Sequence, residues 1–233
     1  MSSNPNRIVA IVGGSGAGKS WLVEQLCRVL GDNACHLALD DFYRDRSYLP
    51  LARRARLNFD VPHAIDWDEA VHVLRRCRDG QPASVPRYDF ANYSRHPEPR
   101  TLDARPIVFV DGLWLFRDPE VRALFDLKIY LDTPTMLRHD RRVARDAASR
   151  GYEPAAIRER LATMVQPMHA KYVEPQKRWA DLVLSQPYSE PEVELLAERL
   201  WGVCSATSAF PCWMRETFRA ELLSLLVQHE FAS

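Results

Sequence analysis

The chain is short of the features that mark secreted, membrane-bound or nucleic-acid-coating proteins. Its 233 residues include only five cysteines: Cys27, Cys35, Cys77, Cys204 and Cys212. That odd number, with no C-x-x-C spacing, argues against a disulfide framework or a zinc site and for free thiols in a reducing compartment, so a cytoplasmic location is expected. Neither sign of charge is in excess: 31 Lys and Arg balance 31 Asp and Glu, and the pI is near 7.1. Bulk binding to nucleic acid or to an anionic membrane is therefore not expected. No apolar run is long enough to span a bilayer, and Met1 to Asn6 is polar and lacks the core of a signal peptide. Glycine is scarce as well, with nine residues, so it matters that Gly13, Gly14, Gly16 and Gly18 crowd into one stretch. What remains is ordinary globular material, 46% hydrophobic, enough for one domain with an appendage.

The crowded glycines belong to Gly-Gly-Ser-Gly-Ala-Gly-Lys-Ser at 13–20, which matches the phosphate-cradling pattern G-x-x-x-x-G-K-[ST]. The flanks agree with it. Arg7 to Val12 is a short apolar, β-branched run suited to a buried parallel strand. Trp21 to Leu30 has helical spacing and stops at Gly31. Gly13, Gly16 and Gly18 allow backbone conformations closed to other residues. The N–H groups of Gly14, Ser15 and Ala17 and the helix N-terminus can then face phosphate oxygens. Lys19 is expected to reach the β- and γ-phosphates, and the Ser20 hydroxyl to ligate Mg2+, so ATP or GTP with Mg2+ is the expected cofactor.

Further apolar runs, Cys35–Leu39, Pro106–Val110, Leu127–Leu131 and Leu182–Leu184, alternate with helical patterns at Ile65–Arg78 (capped at Asp66), Pro134–Ser149, Pro154–Lys171 (interrupted near Pro167) and Glu190–Val203. The alternation predicts a doubly wound, mostly parallel α/β sheet with its site at the carboxyl ends of the strands. Residues 44–58 read as a loop or short helix over that site, and 79–105 as an excursion with short antiparallel pieces. An α/β domain built around the glycine loop is expected over 1–203, with an arginine-dense helical stretch near 138–160. A helical extension follows over 204–233, where Trp213 to Phe231 aligns Phe218, Leu222, Leu225 and Leu226 on one face. That face needs covering, by the domain itself or by another subunit.

Two strand ends carry acids. Asp40 is expected at the carboxyl end of the second strand, beside the strand of the glycine loop, where it can take a proton from an acceptor hydroxyl or touch the metal. Asp111 follows four apolar residues, a placement suited to a Mg2+-bound water. Arg138, Arg141, Arg142, Arg145 and Arg150 fall in the arginine-dense stretch. They make either a solvated face of ion pairs or mobile cations for a phosphoryl-transfer transition state, and about two or three of them are expected at phosphate or substrate. Tyr43, Phe59, Tyr88, Phe90 and Tyr93 offer rings on which a planar base could stack, or simply fill the core.

The order of these motifs resembles the uridine–cytidine kinases, within the phosphoribulokinase/uridine kinase superfamily of P-loop kinases. The matching stretches are the loop at 13–20, Asp-Asp-Phe-Tyr-Arg at 40–44, Asn-Phe-Asp-Val-Pro-His-Ala-Ile-Asp at 58–66 and Pro-Arg-Tyr-Asp-Phe-Ala-Asn-Tyr-Ser-Arg at 86–95. Asp-Gly-Leu-Trp at 111–114, Arg-Arg-Val-Ala-Arg-Asp from 141, Glu-Pro-Gln-Lys at 174–177 and Trp179 to Leu184 continue the series. The resemblance implies ATP-dependent phosphorylation of a nucleoside 5′-hydroxyl. It implies Asp40 as general base and metal contact, Ser20 and Asp111 at Mg2+, Asp60 and Arg142 on the ribose hydroxyls, and Tyr88 on the base. It also implies a lid near 138–160 that carries Arg145 and Arg150, and a homo-oligomer, dimer or tetramer. The chain departs from the family at Asp111 (usually Glu), Tyr93 (often His), Tyr152 (commonly Arg) and Arg160 (a base-reading Gln). These changes gather on the base-reading side. A pyrimidine nucleoside is the expected acceptor. A nicotinamide riboside or sugar phosphate acceptor, and a regulator that holds ATP without transferring phosphate, stay open.

Overall fold

A computed structural model describes residues 5–150, 153–185 and 189–206, with the side chains of 149, 150 and 206 left out. The predicted helix at 213–231 and Cys212 lie outside the described residues. In chain order the elements are β1 (Arg7–Gly13), α1 (Lys19–Leu30), β2 (Ala34–Ala38), α2 (Leu51–Arg54), α3 (Trp67–Arg78), β3 (Ala83–Val85), β4 (Tyr88–Asp89), β5 (Ser94–Arg95) and β6 (Arg100–Leu102). They continue with β7 (Ile107–Gly112), α4 (Pro119–Arg122), β8 (Leu127–Asp132), α5 (Thr135–Arg150), α6 (Pro154–Arg160), α7 (Gln166–Met168), β9 (Leu182–Ser185) and α8 (Glu190–Ala206).

Five strands form a parallel sheet in the order β2-β7-β1-β8-β9. β1 is buried at every position because both faces of the sheet are covered, which is why it reads as a continuous apolar run. Val9 and Ile11 face α1 and α8 through Leu22, Leu26, Ala197 and Leu200. Ile8, Ala10 and Val12 face the opposite core, built from α3, the excursion and the segment after β7. Gln176 ties that segment down: its Oε1 accepts from Phe116 N at 2.8 Å, and its Nε2 donates to Leu113 O at 2.7 Å and to Tyr172 O at 2.9 Å. Cys27, Cys35, Cys77 and Cys204 are free thiols, and burial pushes the Cys27 thiol up to about 11.

Two local expectations are corrected. β2 does not neighbour β1, because β7 lies between them, paired with both. Asp66 makes no capping bond to α3, and its carboxylate accepts instead from Arg44 at 3.5 Å. The helix from Pro154 is interrupted around Pro167, as its sequence predicts: it widens into π-helical turns at Leu161–Val165 and His169–Val173, one on each side of α7. The excursion does hold short antiparallel pairs, β3 with β6 and β4 with β5.

Candidate active site

The sheet topology brings four strand ends together: the glycine loop after β1, Asp40 in the turn after β2, Asp111 at the end of β7, and the start of α5 after β8. Gly16 and Gly18 adopt φ of 82° and 87°, so the loop cannot be built with side chains there. Space forbids them too. A Cβ on Gly16 would lie 2.3 Å from the Arg138 carbonyl oxygen, and one on Gly14 2.5 Å from Arg138 Nη1. Arg138 is 2% exposed and braces the loop from behind, with Nε donating to Thr133 O at 3.1 Å and Nη2 to Thr135 Oγ1 at 3.1 Å. It is therefore a structural arginine, away from the open face of the loop. The loop is pinned a second time by Thr133 Oγ1, which donates to Ala17 O at 3.1 Å.

Lys19 opens α1 and folds back over the loop, its Nζ donating to Gly13 O at 3.0 Å and Gly14 O at 3.1 Å. Burial lowers its pKa, with Arg145 and Arg138 adding to the effect, against the pull of Asp111 and Asp40. The ammonium is thus buried, and the two nearby carboxylates only partly offset the cost of enclosing it.

The two strand-end acids differ in kind. Asp111 is 5% exposed; its Oδ2 accepts from Ser20 Oγ at 2.8 Å and its Oδ1 is 2.6 Å from His36 Nε2. Burial alone would raise its pKa, but the His36 bond and charge, Lys19 and Ser20 hold it below the usual carboxylate value, so Nε2 is the donor. Asp40 goes the other way: enclosure and the nearby Asp111 charge raise it, and Lys19 and Arg145 only partly offset this. Two acids with pKa values pushed apart are what a base and a metal contact require. The donor set of one hydroxyl and two carboxylates is all oxygen and suits a hard divalent cation that also takes phosphate and water ligands.

Across the cleft, Asp60 and Asp146 flank the Arg142 guanidinium, each at 3.4 Å, and Arg145 Nη2 meets Asp146 at 2.9 Å. Burial would lower the Arg142 pKa, but Asp60 and Asp146 hold it above its ordinary value. Beyond them stand the aromatic rings. Tyr43 donates to Phe59 O at 3.2 Å and meets Tyr88 and Phe90 at centroid distances of 5.2 and 6.2 Å. Tyr93 stacks on Phe59 at 5.3 Å and 16°. Tyr93 is the one non-glycine residue of positive φ among the described residues, at 50°. Its turn is held by Asp89, which accepts from Ala91 N and Asn92 N, and by Arg54, which donates to Asn92 O at 2.5 Å. Strain kept in place by this many bonds is the mark of a residue held for its position.

A single cleft of about 680 Å3 gathers most of the residues singled out from the sequence. Ser15, Gly16, Gly18, Lys19 and Ser20 form one end, Asp40, Asp60, Asp111, Arg142 and Arg145 the middle, and Tyr43, Phe59, Tyr88, Phe90 and Tyr93 the other end. Gly13, Gly14 and Ala17 lie outside it, in the underside of the loop: Ala17 is 0% exposed and a Cβ on Gly13 would meet Leu131 O at 2.9 Å. Of the five arginines, Arg141, Arg142 and Arg145 line the cleft and Arg138 does not. The side chain of Arg150, and all of Gly151 and Tyr152, lie outside the described residues.

His36 was not singled out from the sequence. Its only signal is a polar residue inside the apolar β2, two residues short of the strand end. His36→Leu should free Asp111 Oδ1 and raise the Mg2+ concentration for half-maximal rate by roughly ten- to a hundredfold, the size of effect seen when a ligand loses its supporting partner. Magnesium titration of initial rates, with Mn2+ binding by electron paramagnetic resonance as the second readout, checks this; unchanged affinity in both would discard it.

Residues 8–190 match the sequence profile of the phosphoribulokinase/uridine kinase family. The chain is 35% identical over 209 residues to a uridine kinase of Chloroflexus aurantiacus, covering 89% of this chain and 100% of the relative. A uridine kinase of Chloroflexus aggregans is 39% identical over 184 residues, covering 78% and 88%. The fold is similar to that of phosphoribulokinase from Rhodobacter spheroides, with a TM-score of 0.58 at 22% identity, over 78% of this chain and 71% of that one. Among the described residues no helix is long and apolar enough to cross a membrane.

Proposed function

The chain belongs to the phosphoribulokinase/uridine kinase family, whose members are ATP-using phosphotransferases with an alcohol acceptor, and from that premise we propose that it moves the γ-phosphate of ATP to the 5′-hydroxyl of a pyrimidine nucleoside, cytidine or uridine. The observation that carries the reading is the single cleft. Its lining joins the phosphate-cradling loop, Asp40 and the aromatic residues in one space.

Each part then has a task. The loop N–H groups and Lys19 hold the β- and γ-phosphates. Asp40 takes the proton of the attacking hydroxyl. Asp60 and Arg142, already locked to each other, offer an acceptor and a donor to the ribose hydroxyls. Ser20, Asp111 and Asp40 are the residues that would hold Mg2+, which when bound neutralises charge on the phosphates. Arg145, with Asp146 orienting it, can follow the charge that develops on the transferred group. Rings at the far end take the base between their faces.

The test is ADP release from ATP and Mg2+ with a panel of cytidine, uridine, nicotinamide riboside and ribulose 5-phosphate. Turnover with a pyrimidine nucleoside is the expected result. Turnover confined to one of the other two would transfer the same chemistry to that acceptor. Silence with ATP still bound would leave a binding protein.

Tyr93 supplies a finer check. Its phenol hydroxyl can accept from the exocyclic amine of cytosine or donate to the carbonyl that uracil presents there. Tyr93→His should change the KM for the nucleoside while leaving the KM for ATP unchanged, and a nucleoside KM that does not move would remove Tyr93 from base recognition.

A further inference from the structure

The acceptor end of the cleft contains two polar groups that the protein itself leaves unsatisfied. Tyr88 is 7% exposed and its hydroxyl is buried with no partner. Arg160 ends α6; its Nη2 donates to Leu57 O at 3.3 Å, but its Nε–H is buried with no partner. Both residues line the cleft beside the Phe59–Tyr93 stack. Leaving a buried donor without an acceptor is costly, and such groups persist where a ligand completes them.

Resting on the acceptor reading above, we infer that Arg160 reads the edge of the acceptor base and makes the enzyme select cytidine over uridine. The argument is one of donor and acceptor parity. A guanidinium carries donors only and cannot tautomerise or lose its charge in a protein. It therefore demands acceptors opposite it, and favours two side by side, which its planar fork meets together. Cytosine offers that pair, O2 and N3, next to each other. Uracil breaks it: N3 carries a hydrogen, so a donor would face a donor between the two carbonyls. A site of this kind discriminates by what it leaves unpaired in the wrong complex, which is a stronger device than shape for two bases of equal size.

Three nucleosides separate the atoms involved. Cytidine is the full ligand, uridine reverses N3, and 3-deazacytidine replaces N3 by C–H while keeping O2 and the amine. Competition between pairs, read as relative kcat/KM, should put cytidine at least about tenfold above uridine in the unaltered enzyme, as a bidentate arginine contact discriminates. It should drop 3-deazacytidine to near the uridine level. Arg160→Gln, whose amide both donates and accepts, should bring the cytidine-to-uridine ratio to within about threefold of unity while leaving the KM for ATP unchanged, since glutamine tolerates either base edge. The deaza substrate needs no variant, so misfolding cannot imitate the result. Equal use of cytidine and 3-deazacytidine, or a ratio that Arg160→Gln leaves where it was, overturns the inference alone. Turnover of neither pyrimidine nucleoside overturns the acceptor reading and this inference with it.

Discussion

Asp40→Asn should reduce turnover by roughly three orders of magnitude, the middle of the range for loss of a positioned general base, while leaving a folded protein that melts no lower than the original. The two halves of this expectation have one cause. Enclosure in the cleft and the Asp111 charge raise the Asp40 pKa above its ordinary value. A carboxyl of raised pKa is a better proton acceptor once ionised, but the folded state carries the cost of keeping it charged. In the window between the ordinary carboxylate pKa and the raised one, the folded protein binds more protons than the unfolded chain, so stability falls as pH rises through that window. Above the raised pKa the cost is present in full, and the asparagine, neutral at every pH, removes it. The unaltered enzyme should show the kinetic counterpart: kcat/KM should fall as pH drops through a pKa above the usual carboxylate range, and that acidic limb should be missing from the residual rate of the variant. ADP release across pH, with thermal melts of both proteins without nucleotide, checks all three statements. A variant that keeps a tenth of the activity would rule out Asp40 as the base. One that melts well below the original would make it a structural acid.

The parts of this protein that could be read without coordinates are those whose chemistry is local. Gly16 and Gly18 must be glycine because the loop needs their φ, so the cradle is written in eight consecutive residues. Asp40 and Asp111 each follow an apolar run, and a strand that ends at an acid places that acid at the carboxyl edge of the sheet whatever its neighbours are. What could not be read depends on partners distant in the chain. No residue of β2 announces that β7 lies between it and β1. Yet this insertion puts His36, on β2, beside Asp111, on β7, and forms the His36–Asp111–Ser20 chain. The arginines of α5 show the same limit. Arg138 and Arg142 are one helical turn apart on one face, and both are buried. Only the packing of Gly14 and Gly16 against the first makes it a brace, and only the nearness of Asp60 makes the second part of the cleft. The strained Tyr93 was visible as an aromatic residue but not as a fixed one, because the bonds that hold it come from Asp89 within its own turn and from Arg54 on another element.

Lys19→Met should cost activity roughly a hundred- to a thousandfold, the loss expected for one preorganised electrostatic contact to the reacting group, and should abolish most of the stabilisation that ATP confers. Methionine follows the lysine chain as far as Cε but lacks the terminal ammonium, and so brings no charge and no donor. In the protein without nucleotide, the exchange removes two bonds, to Gly13 O and Gly14 O, and also removes a buried ammonium. That ammonium is itself a burden, because burial lowers the Lys19 pKa. The sign follows from linkage: a base of lowered pKa binds fewer protons folded than unfolded, so it subtracts stability at neutral pH and the deficit shrinks as pH rises toward its ordinary value. The lost bonds and the relieved burial oppose each other, and the melting temperature without nucleotide should move little. With nucleotide the balance is one-sided, since only the lysine charge meets the phosphates. A ligand at a hundred times its Kd stabilises by about 2.7 kcal/mol, and a hundredfold or greater weakening removes most of that. Thermal melts with and without ATP therefore separate the two roles of Lys19. A variant that melts much lower alone but keeps its ATP shift would make Lys19 a prop of the loop; one that melts alike alone and no longer responds to ATP makes it the cation that the phosphates require.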